Sequence, residues 1–182
     1  MRLRILAPHT RLLHRQLRPS HSRVRHDAAR HGLPEKELMN MTIDITEATS
    51  FDPEALEPIN RLLAQLTDRR PLAADDLRRI VEDEATHLFL LRVDGAIVGM
   101  TTLAVYRTPS GTKAWIEDVV VDGSMRGKSL GRALLDHAMG YARRMSPATL
   151  MLTSRPSRAA ANALYLAAGF EPKETNVYKI EL

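Results

Sequence analysis

Apolar residues recur along this chain in two rhythms, one of period two and one close to 3.6, and the switches between them mark the elements. Thr42 to Thr46 alternates and reads as a first strand. Asp52-Pro53-Glu54 opens a helix, with Asp52 as cap and Pro53 in the first helical position. Leu56, Ile59, Leu62, Leu63 and Leu66 follow at helical spacing, and Asp68-Arg69-Arg70-Pro71 ends the run. A second helix spans Ala74 to Glu84, with Leu77, Ile80 and Val81 inward. His87 to Val93 is a strand, Asp94-Gly95 a hairpin turn, and Ala96 to Arg107 a long strand. Pro109-Ser110-Gly111 turns the chain into Lys113 to Val121, which completes an antiparallel meander. The next helix, Ser129 to Arg144, carries Leu130, Leu134, Leu135, Ala138 and Tyr141 on one stripe. Ala148 to Thr153 is a strand reached by that helical crossover, which implies parallel pairing. A last helix, Ala159 to Ala168, is capped by Gly169, and Phe170 to Lys173 with Asn176 to Leu182 reads as a closing hairpin.

This order predicts an α/β fold with a mixed, mostly antiparallel central sheet of about seven strands and helices on both faces. At 182 residues, 44% hydrophobic and 26% charged, the chain is long enough for one domain with a real core. Cysteine is absent, which excludes disulfides, thiolate metal sites and a cysteine nucleophile. No apolar run approaches the roughly 20 residues that span a bilayer. A soluble, cytoplasmic protein without membrane contact is expected.

Charge divides the chain in two. Residues 1–40 hold nine Lys/Arg against three Asp/Glu and five of the seven histidines, leaving 17 against 19 for residues 41–182. Pro8, Pro19 and Pro34 interrupt any long helix in the basic segment. Residues 1–40 are expected to be a disordered extension, or sequence upstream of a true start at Met39 or Met41, and 41–182 the globular domain. A transit segment and a nucleic-acid-binding arm are the alternatives, although nucleic acid is not the expected partner.

The chemistry concentrates in Glu117 to Arg132, EDVVVDGSMRGKSLGR. Val119, Val120 and Val121 end a strand, Asp122-Gly123-Ser124 turns, and a helix begins after Gly131. The first N–H groups of a helix have no partner inside it, and the helix dipole adds partial positive charge there. Arg126 and Lys128 add two full charges, so the segment suits a phosphate or pyrophosphate. Gly127-Lys128-Ser129 is also the tail of the nucleotide-binding loop G-x-x-x-x-G-K-[ST]. Its first glycine would fall at Asp122, whose charge repels phosphate.

Arg126-Gly127-Lys128-Ser129-Leu130-Gly131 followed by Arg132-Ala133-Leu134-Leu135 resembles the pyrophosphate loop of the GNAT superfamily of N-acetyltransferases, which bind acetyl-coenzyme A (acetyl-CoA). Ser129 departs from the small residue, most often glycine, found there, and predicts altered contact. About 30 residues on, Asn162-Ala163-Leu164-Tyr165 with Gly169-Phe170 resembles the family's other signature segment. The resemblance covers residues 42–182 and implies the acyl-CoA N-acyltransferase fold. It further implies acetyl-CoA as co-substrate and an amine, small molecule or protein, as acceptor.

The resemblance also implies roles. Backbone groups of Val119, Val120 and Val121 would hold the pantetheine arm and the thioester carbonyl. The N–H groups of Arg126, Gly127, Lys128, Ser129, Leu130, Gly131 and Arg132 would take the pyrophosphate. Asn162 would bond the pantetheine chain. Glu117 stands where several members carry a general base, with Asp118, expected on the opposite face, as its alternate. Tyr165 is the candidate acid for the departing thiolate. The loop containing Asp68, Arg69 and Arg70 would border the acceptor. A non-catalytic acyl-CoA sensor, a protein lysine or N-terminal acetyltransferase, and a homodimeric assembly remain open. His87 and His137 look isolated, and no metal is expected; His137 reads as a surface residue and Trp115 as core or pocket wall.

Overall fold

The computed structural model describes residues 41–147 and 149–181. The basic extension 1–40, and every expectation attached to it, lies outside the described residues. Five strands form one sheet in sequential order: β1 (Ile43–Glu47), β2 (Thr86–Val93), β3 (Ala96–Thr108), β4 (Gly111–Val121) and β5 (Thr149–Leu152). The first four are antiparallel, and β5 joins β4 in parallel.

Helices α1 (Pro53–Leu63) and α2 (Ala74–Glu82) cover one face; α3 (Leu130–Met145) and α4 (Ala159–Ala167) cover the other. Strand β2 shows why both faces need cover: Leu88 and Leu90 belong to the α1–α2 core, and Phe89 and Leu91 to the α3 core. Local signals hold at several ends. Asp52 accepts from Glu54 N–H at 2.9 Å, and Asp94 and Gly95 take φ of 50° and 85° in the hairpin turn. Gly169, at φ 91°, closes α4 with Phe170 N–H donating to Tyr165 O at 3.0 Å.

Two expectations fail. The sheet has five strands, not about seven, because the closing hairpin does not form among the described residues. Residues 171–181 are exposed throughout, with Tyr178 87% accessible. A strand needs a neighbouring edge to take its N–H and C=O groups. Pro172 offers no N–H, β5 presents only four residues, and the tail makes contacts such as Asn176 to Tyr178 at 3.4 Å within itself.

The second concerns the histidines. His87 is buried, and its Nδ1 lies 2.7 Å from Glu47 Oε1. His137 is partly buried with its ring 4.9 Å from Phe89, not on the surface. Strand pairing brings Glu47 beside residues 40 positions away. No group of three or more His, Cys, Asp or Glu suited to a metal occurs among the described residues.

Candidate active site

Strand β4 pairs with β5 only from Lys113 to Ile116, against Thr149 to Leu152. From Glu117 to Val121 the outer edge of β4 has no strand beside it among the described residues. Register against β3 shifts at the same place: Thr102 faces Glu117, while Met100 faces Val120. Asp118 and Val119 therefore oppose Thr101 alone, and Asp118 takes a left-handed φ of 52°. This is a β-bulge. Thr101, fully buried, donates its hydroxyl to Glu117 O at 3.2 Å and fixes the bend. The strict alternation that would set Glu117 and Asp118 on opposite faces is broken here.

The bulge shapes the electrostatics. Glu117 is exposed at its surface, yet surrounding protein desolvates it and raises its pKa above the ordinary carboxylate value. The neighbouring Asp118 charge raises it further, against a hydrogen bond from Trp115. Asp118 is also raised by desolvation, with Arg69 and Arg158 pulling it down. Tyr165 is raised by burial; Arg158 acts against this and Glu117 with it. These mutual influences set Glu117 and Asp118 of β4 near Arg158 and Tyr165 of α4 and its N-terminal cap, two stretches about 40 residues apart.

Beyond Val121 the chain makes a 3-10 turn (Gly123–Met125), with Asp122 accepting from Ser124 N–H at 2.9 Å. Gly127 and Ser129 then take positive φ, 77° and 56°, and α3 begins at Leu130. A Cβ on Gly127 would meet no atom, so conformation and not crowding demands glycine there. Ser129 makes no side-chain cap, and its carbonyl accepts from Ala133 N–H at 3.1 Å. The N–H groups of Gly127 to Arg132 find no acceptor among the described residues. Leu130 is buried and anchors the loop in the core. Arg126, Gly127 and Ser129 are exposed, Lys128 less so. Free backbone donors clustered at a helix start have the chemistry that suits an anion. The Arg132 side chain is used elsewhere: Nε donates to Asp136 at 2.9 Å and Nη1 to Ala167 O at 3.1 Å, tying α3 to the end of α4. Arg132 can serve an anion through its backbone N–H.

Helix α4 supplies the opposite wall. Asn162 Nδ2 donates to Arg155 O at 3.0 Å, which leaves Oδ1 free to accept. Tyr165 packs edge-on to Phe170 at 6.2 Å.

The model of the acetyltransferase (GNAT) family matches residues 51–170. The chain belongs to the GNAT family of acetyltransferases. Acetyl transfer follows from GNAT membership, and the GNAT fold extends over most of the chain. A putative acetyltransferase from Agrobacterium tumefaciens superposes with a TM-score of 0.68 at 21% identity, over 76% of this chain and 99% of that one. Glucosamine-6-phosphate N-acetyltransferase from Arabidopsis thaliana gives 0.65 at 21%, over 76% and 98%. An aminoglycoside N-acetyltransferase in complex with CoA gives 0.64 at 18%, over 78% and 95%. A search of curated proteins finds no match.

Two structural features of the site escape sequence reasoning: the bulge at Asp118 and the role of Arg158. Asp-Val-Val carries no turn signal, and an arginine before a helix is ordinary. Neither has a local signature that could have revealed it.

Proposed function

We propose that this protein transfers an acetyl group from acetyl-CoA to a primary amine by direct attack. The observation that carries this reading is the continuity of the unpaired β4 edge, Glu117 to Val121, with the N–H cup at the start of α3. A pantetheine arm needs an extended strip of backbone partners, and its pyrophosphate needs clustered donors. One continuous stretch supplies both.

Each residue then has a task. The backbone of Val119, Val120 and Val121 pairs with the pantetheine amides and donates to the thioester carbonyl as negative charge develops on it. The N–H groups of Gly127 to Arg132, helped by the Arg126 and Lys128 charges, hold the pyrophosphate; the Arg126 N–H itself is taken by Gly123 O at 3.5 Å. Asn162 Oδ1 accepts from the pantetheine chain. Glu117 removes the proton from the ammonium, directly or through water, because only the free amine has a lone pair. Its raised pKa suits a base working near neutral pH. The amine nitrogen bonds to the carbonyl carbon, the carbon–sulfur bond breaks, and Tyr165 gives its proton to the thiolate; the nitrogen releases its second proton to solvent, which restores the phenol. Burial keeps that phenol protonated. The proposed compartment is the cytoplasm, where such a co-substrate is available.

Two measurements test the reading. Calorimetry with CoA should show binding; folded protein that does not bind CoA rules the proposal out. Thiol release from acetyl-CoA across an amine panel should then find an acceptor. Binding without release for any amine would replace the enzyme with a non-catalytic sensor.

A further inference from the structure

A cleft of about 580 Å³ lies between the turn after α1 and the loop before α4; Leu66, Asp68, Arg69, Arg155, Lys179 and Glu181 are among its lining residues. Its two main walls are fixed to the rest of the fold. Gln65 accepts from Gly123 N–H at 3.0 Å and donates to Asp122 at 3.2 Å. Leu66 O accepts from Arg158 Nη2 at 2.9 Å. On the other wall, Arg155 O accepts from both Asn162 Nδ2 and Arg158 N–H at 3.0 Å. The backbone of both walls is thus held before any ligand arrives, which places the stems of Arg69 and Arg155 on either side of the cleft.

Those charges are mainly positive. Lys179 is paired with Glu181. Arg70, one residue beyond the cleft, is paired with Asp76 at 3.3 Å. Arg69 and Arg155 have no carboxylate within ion-pair distance among the described residues, and Asp68 is the single unpaired acid among the lining residues named. Arg69 lies near enough to Asp118, the chain neighbour of the proposed base, for its charge to be felt there. The Leu66 wall of the cleft is bonded through Arg158 to the start of the helix that bears Tyr165, and two free guanidinium groups line the cleft. A guanidinium offers a planar fork of donors that matches phosphate or carboxylate oxygens. A polycationic acceptor would meet like charge at the same place.

We infer that the acceptor is a small amine that also carries a phosphate or carboxylate, gripped by Arg69 and Arg155 with its amine directed toward Glu117. This rests on the acetyl-transfer reading and adds the substrate class to it. The geometry assigns Arg69 and Arg155 to acceptor binding and leaves CoA to the α3 cup.

The test is calorimetric titration of the full chain, with and without saturating CoA, by O-phosphoethanolamine, β-alanine, ethanolamine and putrescine. At least one of the two anionic amines should bind ten or more times tighter than ethanolamine, and putrescine no better than ethanolamine. In Arg69→Gln/Arg155→Gln that preference should fall to within twofold while the Kd for CoA stays within twofold of the parent. If the double variant does not fold, each single variant should lose part of the preference. Equal binding of charged and neutral amines, no binding of the anionic ones, or a preference that survives the substitutions would overturn the inference. The CoA titration reads the acetyl-transfer proposal separately. CoA binding without anion preference sinks only the acceptor class, and the titrations without CoA remain informative if CoA fails to bind.

Discussion

Arg158, the residue before α4, donates from Nη2 to the carbonyl of Leu66 at 2.9 Å, across 92 positions of sequence. Leu66 lies in the turn after α1, so this one bond ties that turn to the helix that bears Tyr165. Burial raises the pKa values of both Asp118 and Tyr165, and the same guanidinium offsets part of that rise. Arg158→Ala should therefore raise the KM for the amine several-fold while the Kd for CoA is little changed. It should also move any alkaline limb of the rate profile upward, since removing a positive charge raises a phenol's pKa. Steady-state kinetics across pH checks both.

As the proposed base Glu117 must be ionised to act, and its pKa is raised by desolvation and then by Asp118. The rate should therefore rise with pH through a limb placed above the ordinary carboxylate range. Glu117→Gln should remove that limb and lower kcat/KM by roughly 10²–10⁴-fold, the usual worth of a general base. The loss should shrink above the pKa of the amine, where free amine is already present. A profile that keeps its limb and its height would reassign the base.

Ser129 sits at φ 56° and makes no cap, a conformation that glycine adopts without strain. Ser129→Gly should stabilise the fold by about 0.5 kcal/mol, the relief of strain being partly offset by the freer unfolded chain. Thermal unfolding should show a small rise in Tm, and calorimetry an affinity for CoA that is undiminished.

Gly99 faces Val121 across the β3–β4 pair, and a Cβ there would lie 3.0 Å from Val120 O and 3.1 Å from Leu134 Cδ1. The first is backbone in a paired strand, and the second belongs to a fully buried side chain. Neither yields freely, so Gly99→Ala should cost roughly 1–3 kcal/mol. Because the strain falls beside Val120 and Val121, weaker CoA binding should accompany the lower Tm.

Glu47 loses some ease of ionisation to burial, but the hydrogen bond and charge of His87 and the Tyr141 hydroxyl outweigh it and leave the pKa lowered. Tyr141, desolvated beside that carboxylate, is pushed up to about 12. A lowered carboxyl pKa stabilises the fold above the unfolded value, near 4.5, and that contribution is lost as pH falls through the folded value. Glu47→Ala should flatten this part of the stability curve. It should also cost roughly 1–3 kcal/mol at neutral pH, because it leaves Nδ1 of buried His87 without a partner, as Nε2 already is among the described residues. Denaturant unfolding between pH 3 and 7 measures both effects.

The sequence by itself determined the elements from the first strand to the last helix, their order, and the glycine-containing turn before α3. Asp52 before Pro53, Asp94-Gly95 and Gly169 act on backbone only a few residues away, so their effect is present in the local chain. Leu130, Leu134, Leu135 and Ala138 likewise declare one helical face, and all four are buried. Tertiary structure alone decided which side chains meet between elements. Arg158 reaching Leu66, His87 reaching Glu47 and the bulge at Asp118 depend on strand register and helix packing, which no short stretch encodes. The tail shows the same limit in reverse: Val177, Tyr178 and Ile180 have strand-like side chains, yet a strand exists only where another edge takes its hydrogen bonds.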